Sequence, residues 1–145
     1  MQYIKNKHLA SSLLMIRPCQ FFSNPQTADS NKFQGRSKLS DNELQEAALS
    51  EFDMLVSRLR EADMDVYVFE DTPNPITPDS VFPNNWVSLH NNGTVVLYPM
   101  EAENRRLERR LDIIYELRDK HGFDIKKIID MSYLEDKQEY LEGTG

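Results

Sequence analysis

The sequence has one cysteine, Cys19, so no disulfide can form within the chain. That fits a reducing compartment and makes the cytoplasm the expected location. No apolar run approaches the ~20 residues that a membrane span needs. The stretch from Leu9 to Ile16 is partly apolar, but Ser11 and Ser12 interrupt it and Arg17 and Pro18 close it. Without a clear cleavage site it does not read as a signal peptide. Basic residues are in deficit, with 17 Lys and Arg against 24 Asp and Glu and a net charge of -7. That balance argues against nucleic acid and anionic membrane as main partners. The three histidines, His8, His90 and His121, lack metal-ligand spacing and an acid at helical distance. No strict internal repeat is present.

What is present is an ordinary globular composition, 39% hydrophobic and 28% charged over 145 residues. A chain of this length can bury one real core. Leu13 to Ile16 form a short apolar run closed by Pro18, which predicts a buried strand. Cys19 to Leu39 show no period and predict a long loop. Ser40 and Glu43 make an S-x-x-E capping box. Leu44, Ala48, Phe52, Leu55 and Leu59 then mark one face of a helix ending near Ala62. Val66, Val68 and Glu70 alternate with Tyr67 and Phe69, a strand pattern.

Prolines keep Asp71 to Asp79 free of helix. Val81 to His90 reads as a strand interrupted at Pro83. Asn92 and Gly93 predict a type I′ hairpin turn into Thr94 to Tyr98. A second helix is predicted from Glu103 to Lys120, buried through Leu107, Leu111, Ile114 and Leu117, with Gly122 just past its end. Phe123 to Ile129 and Tyr140 to Glu142 are the remaining strand candidates, and Ser132 to Glu139 is either short helix or loop. The order is α/β with mixed strand directions. Helix, Asp-rich turn and strand occur twice.

Candidate chemistry sits in three places. Prolines 73, 75, 78 and 83 stiffen the backbone that carries Asp79, Asn84 and Asn85. Carboxylate and carboxamide groups there suit guanidinium or urea N–H donors, although Asp79 as a turn cap and the Asn pair as loop acceptors serve as well. Arg105 could hold a carboxylate as a bidentate fork, or it belongs with Arg106, Arg109 and Arg110 to a solvated helix face. Glu142, before Gly143 and Gly145, could orient a histidine as the acid of a triad does. No convincing nucleophile or base accompanies them. Cys19 reads as a quiet thiol.

Five stretches carry a resemblance: MIRP (Met15 to Pro18), NPQTADSNKFQ (Asn24 to Gln34), FEDTPNPITPDSVFPNNWVS (Phe69 to Ser88), VVLYPMEAENRRLERR (Val95 to Arg110) and LEGTG (Leu141 to Gly145). The chain resembles the guanidino-group-modifying superfamily of arginine deiminases, dimethylarginine dimethylaminohydrolases and amidinotransferases. The closest likeness is to its citrulline-utilisation branch. The resemblance implies an α/β propeller of five ββαβ-type modules. It implies a cysteine thiolate attacking a guanidinium or ureido carbon, a histidine as acid–base group, and no metal or organic cofactor. Asp79 matches a substrate-binding aspartate, Asn84 and Asn85 a pair that is usually acidic or Arg-Asp, Arg105 a substrate-carboxylate arginine, and Glu142 the acid that orients the histidine.

On this reading residues 1–145 form the N-terminal part of one amidinotransferase-like domain, with 1–12 a flexible tail. The catalytic histidine and cysteine lie beyond Gly145, and the chain alone is inactive. The small-molecule partner is a ureido or guanidino amino acid, citrulline or arginine. An amide at Asn85 in place of a carboxylate predicts a preference for the neutral ureido group. The alternatives are an amidinotransferase, a non-catalytic binding or interaction domain, and an inert remnant.

Overall fold

A computed structural model gives the fold and describes residues 10–28 and 38–143. Residues 1–9, most of the expected tail, and 29–37, part of the expected long loop, lie outside the described residues. Ser12, the last residue of that tail, already belongs to the first strand.

The first unit is strand–helix–strand. Strand β1 (Ser12–Arg17) pairs in parallel with β2 (Asp65–Glu70), Leu14 opposite Tyr67, and helix α1 (Asp41–Glu61) connects them. The capping box opens α1: Ser40 Oγ accepts from the Glu43 N–H and Glu43 Oε2 accepts from the Ser40 N–H at 2.8 Å. Side chains alternate across a strand, and here both faces are covered. Met15, Val66 and Val68 pack against Phe52 and Val56 of α1. Ile16, Leu14, Tyr67 and Phe69 pack on the other side against Ile113 and Leu117. The parallel pair is thus buried on both faces, as parallel strands require.

Along α1 the buried stripe runs through Phe52 and Val56, while Leu55 stands half exposed. The 3.6-residue period places Leu55 at the stripe's edge, so it does not belong to the predicted core face.

The second unit is strand–strand–helix–strand: β3 (Val87–Leu89), β4 (Thr94–Leu97), the short α2 (Glu103–Arg106), α3 (Leu111–His121) and β5 (Lys127–Asp130). Strand β4 lies between an antiparallel β3 and a parallel β5. Trp86, Val87, Val95, Leu97, Met100 and Ile114 form its core. This is one complete ββαβ module, and the first unit has the same order less one strand.

Four local expectations are corrected. The strand expected from Val81 starts only at Val87, because Pro83–Asn85 form a 3₁₀ turn. Proline lacks an N–H, and its fixed φ suits the first position of such a turn. The hairpin is not type I′, since of residues 91–93 only Gly93 has positive φ, at 82°. The Gly93 N–H donates to the His90 carbonyl and the His90 N–H to the Thr94 carbonyl, a three-residue loop closed by a left-handed glycine. The long second helix is divided, with Arg110 extended at φ -108° and Leu107 exposed. Between Glu103 and Arg110 Leu107 is the lone large apolar residue, too little to anchor continuous helix by packing. Finally, Tyr140 to Glu142 is not a strand. Its neighbourhood makes isolated backbone bonds, Leu141 N–H to Pro99 O and Gly143 N–H to Asn85 O.

Gly122 ends α3 in the left-handed region at φ 72°. Ser132–Lys137 form a 3₁₀ helix. Among the described residues no helix is long and apolar enough to cross a membrane.

Candidate active site

Asp79 is placed by a loop that folds around Asp71. The Asp71 carboxylate accepts from Thr77 Oγ1 at 3.1 Å and from Ser80 Oγ at 2.8 Å. Its N–H donates to the Arg17 carbonyl at the end of β1. Thr77 and Ser80 are buried, so each hydrogen bond removes a polar group that would otherwise be costly to bury. Asp79 lies between them, with Oδ2 accepting from Asn24 Nδ2 at 2.7 Å.

Asn24, buried in the loop after β1, bridges to α2. Its Oδ1 accepts from Asn104 Nδ2 at 2.8 Å, and the Asn104 N–H donates to Gln26 Oε1 at 3.0 Å. The next residue is Arg105. Its Nε and one terminal nitrogen donate to the two oxygens of Glu108, both at 3.1 Å. The other terminal nitrogen donates to Glu142 Oε2 at 3.4 Å, and Nε lies 3.8 Å from Asp79 Oδ2. Asn85 Nδ2 donates to the same Glu142 Oε2 at 2.9 Å.

Three carboxylates therefore surround one guanidinium. Side-chain exposure rises outward, from 1% at Glu108 and 7% at Arg105 to 18% at Asp79 and 31% at Glu142. Asp79 and Glu142 form the open side. Burial pushes the Glu108 carboxyl up to about 7, against the opposing pull of Arg105, and Asp79 and Glu142 push the same way. Arg105 is held charged by Glu108 and its other acidic neighbours in spite of its own burial.

Asp79, Asn85, Arg105 and Glu142 thus meet in one cluster. Among the described residues, the Asn84 side chain makes no hydrogen bond to it. Asn84 is exposed and lines a separate groove with Leu13, Val81 and Val87. Its carbonyl would lie 2.4 Å from a Cβ at Gly143, which is why that position needs glycine. The arginines after Arg105 are not a free solvated face. Arg106 donates to the Met100 carbonyl, Arg109 pairs with Glu135, and Arg110 donates to the Glu70 carbonyl.

Neither described histidine joins the cluster. His90 bonds Ser88, and His121 packs edge-on against Tyr67 and Phe69. His8 lies outside the described residues. Cys19 is half buried. Among the described residues no group of three or more His, Cys, Asp or Glu is arranged to hold a metal ion. An apolar hollow of about 550 Å³ beside α1 is lined by Phe21, Leu44, Ala48, Leu55 and Phe82, with Glu51 the one acidic or basic group among the described residues that line it.

Sequence reasoning missed Asn24, Asn104 and Glu108. Glu108 had a signal, an acid three residues after an arginine. The two asparagines had none beyond their motifs.

The acidic cluster lies where loops of the βαβ unit and the ββαβ module meet, and the chain is of the guanidino-group-modifying class of α/β proteins. A family model described as N,N dimethylarginine dimethylhydrolase, eukaryotic, matches residues 17–145, and the chain belongs to that family. Among curated proteins none matches significantly. Two solved structures share the fold. One is a dimethylarginine dimethylaminohydrolase adduct with 4-chloro-2-hydroxymethylpyridine, at TM-score 0.51 and 18% identity over 83% of this chain and 40% of that one. The other is an adduct of a histidine-to-glycine variant with S-methyl-L-thiocitrulline, at TM-score 0.52 and 18% identity over 82% and 41%. The chain therefore spans about two fifths of the length of the structures it matches.

Proposed function

We propose that this chain carries the substrate-gripping side of a hydrolase that cleaves a C–N bond of a guanidino amino acid, N,N-dimethylarginine in preference to citrulline. The observation that carries this is the excess of carboxylates around a single guanidinium, open at Asp79 and Glu142. A cationic guanidinium head would complete the charge balance there, and a neutral ureido group would not. The contacts that Asp79 makes to Asn24, Thr27 and Arg105 all fall on Oδ2. Its Oδ1 is left to accept from substrate N–H groups. Glu142 likewise spends Oε2 on Asn85 and Arg105, which leaves Oε1 to orient a histidine.

The amide at Asn85 donates to Glu142. Its neutrality then bears on how Glu142 is held and does not by itself favour a ureido substrate. The proposed nucleophile and acid–base group, a cysteine and a histidine, belong to the part of a pentein-type propeller that this chain does not span. The thiolate attacks the guanidinium carbon, and dimethylamine leaves with a proton from the histidine. Water then hydrolyses the thiouronium intermediate to citrulline and restores the thiol.

The test is turnover by the protein at its full natural length, offered N,N-dimethylarginine and citrulline separately. The expected result is dimethylamine release with kcat/KM well above that for ammonia release from citrulline. Preference for citrulline, or turnover of neither, would contradict the proposal.

A further inference from the structure

Glu108 is the most buried charged group of the cluster, out of a substrate's reach at 1% side-chain exposure. It sits in the turn after α2 and gives both oxygens to Arg105. The charged groups facing it are Arg105 on α2, Asp79 in the loop after β2, and Glu142 in the C-terminal segment. The other polar side chains described in the cluster, Asn24, Gln26, Thr27, Asn85 and Asn104, are uncharged.

We propose that Glu108 is the specificity-determining positioning residue of this site: it fixes Arg105 and cancels its charge, so that the open rim of Asp79 and Glu142 selects a cationic ligand over a neutral isostere. This rests on the functional reading above and deepens it. With Glu108 ionised, Arg105 is matched from behind and both rim carboxylates act on the ligand. With Glu108 uncharged, Arg105 draws on those same carboxylates, 3.8 Å and 3.4 Å away, and the rim loses most of one charge. Glu108 acts through Arg105 and never touches the ligand.

The consequence is a preference that depends on pH although neither ligand titrates in the relevant range. Glu108 loses its proton near 7, so the cation preference rises as pH increases through that value.

The experiment measures equilibrium binding of N,N-dimethylarginine and citrulline, from pH 5.5 to 8.5, to the protein at full natural length with its proposed nucleophilic cysteine replaced by alanine so that neither ligand turns over; wild type below means Glu108 unchanged in that background. In the wild type the affinity ratio, cation over neutral, should climb severalfold across that range. Glu108→Gln should lower the ratio roughly tenfold at pH 8 and flatten its pH profile, the effect of one charge in a partly screened site. Glu108→Asp keeps the charge and should restore both. Should Glu108→Gln fail to fold, the wild-type profile and Glu108→Asp decide the matter. A flat wild-type profile, or a folded Glu108→Gln protein with the wild-type ratio, would overturn the inference alone. Failure of the wild type to bind either probe would overturn the functional reading and this inference with it.

Discussion

Glu108 and Arg105 are a buried ion pair, and burial of that kind leaves a mark on stability. The Glu108 carboxyl moves from an ordinary 4.5 to about 7 on folding. Between those values the folded chain holds a proton that the unfolded chain has released. Its contribution to stability is therefore greatest below about 4.5 and is lost as pH rises through 7, on the order of 3 kcal/mol in all. Asp53 and Asp112, held low by Arg17 and Arg110, titrate below this window and do not mask it. Urea unfolding of the 145-residue chain should show lower stability at pH 8 than at pH 5, and Glu108→Gln should abolish that difference. At this scale the sequence was legible where residue type restricts chemistry. Asp79, Asn85, Arg105 and Glu142 were singled out from their motifs and do meet in space. The pairing of Arg105 with Glu108 had a signal in its spacing but did not stand out, because an Arg and a Glu at such spacing are most often a solvated pair. What sets them apart is burial, with Asp79, Asn24 and Glu142 all held against Asn104 and Arg105 of α2.

Elements were read well where one face is buried and poorly where backbone geometry alone decides. The capping box, the alternation of β2 and the glycine after α3 all appear as expected. The division between α2 and α3 was hidden because RRLERR has good helix formers and no breaker. The stripe of α1 was misjudged by one position, and this can be measured. Phe52→Ala should cost about 3–5 kcal/mol, as expected for a buried phenylalanine. Leu55→Ala should stay near 0.5 kcal/mol. Equal effects in denaturant melts would contradict the assigned face. Gly93 offers a second check. It has φ 82°, and a Cβ there would lie 2.4 Å from the Asp124 carbonyl. Gly93→Ala should therefore destabilise the chain by more than the ~1 kcal/mol usual for glycine replacement at compatible sites, and with the opposite sign.

For the whole molecule, the chain belongs to a family named for dimethylarginine hydrolysis, and it spans about two fifths of the solved structures it matches. The two units share a parallel pair packed between α1 and α3, and the acidic cluster forms where their loops meet. The class of fold was legible from the order of strands and helices. The site was only partly legible, since Asn24 and Asn104 matter through contacts between segments 80 residues apart. Purified alone, the 145-residue chain should release no dimethylamine, since neither described histidine joins the cluster. The most direct test of the central claim is kcat/KM for N,N-dimethylarginine in the full-length protein, wild type against Asp79→Asn. The change removes the charge-assisted contact proposed between Asp79 and the substrate. The account predicts a fall of about 10- to 100-fold with the melting transition kept, and an Asp79→Asn protein as active as the wild type would contradict it.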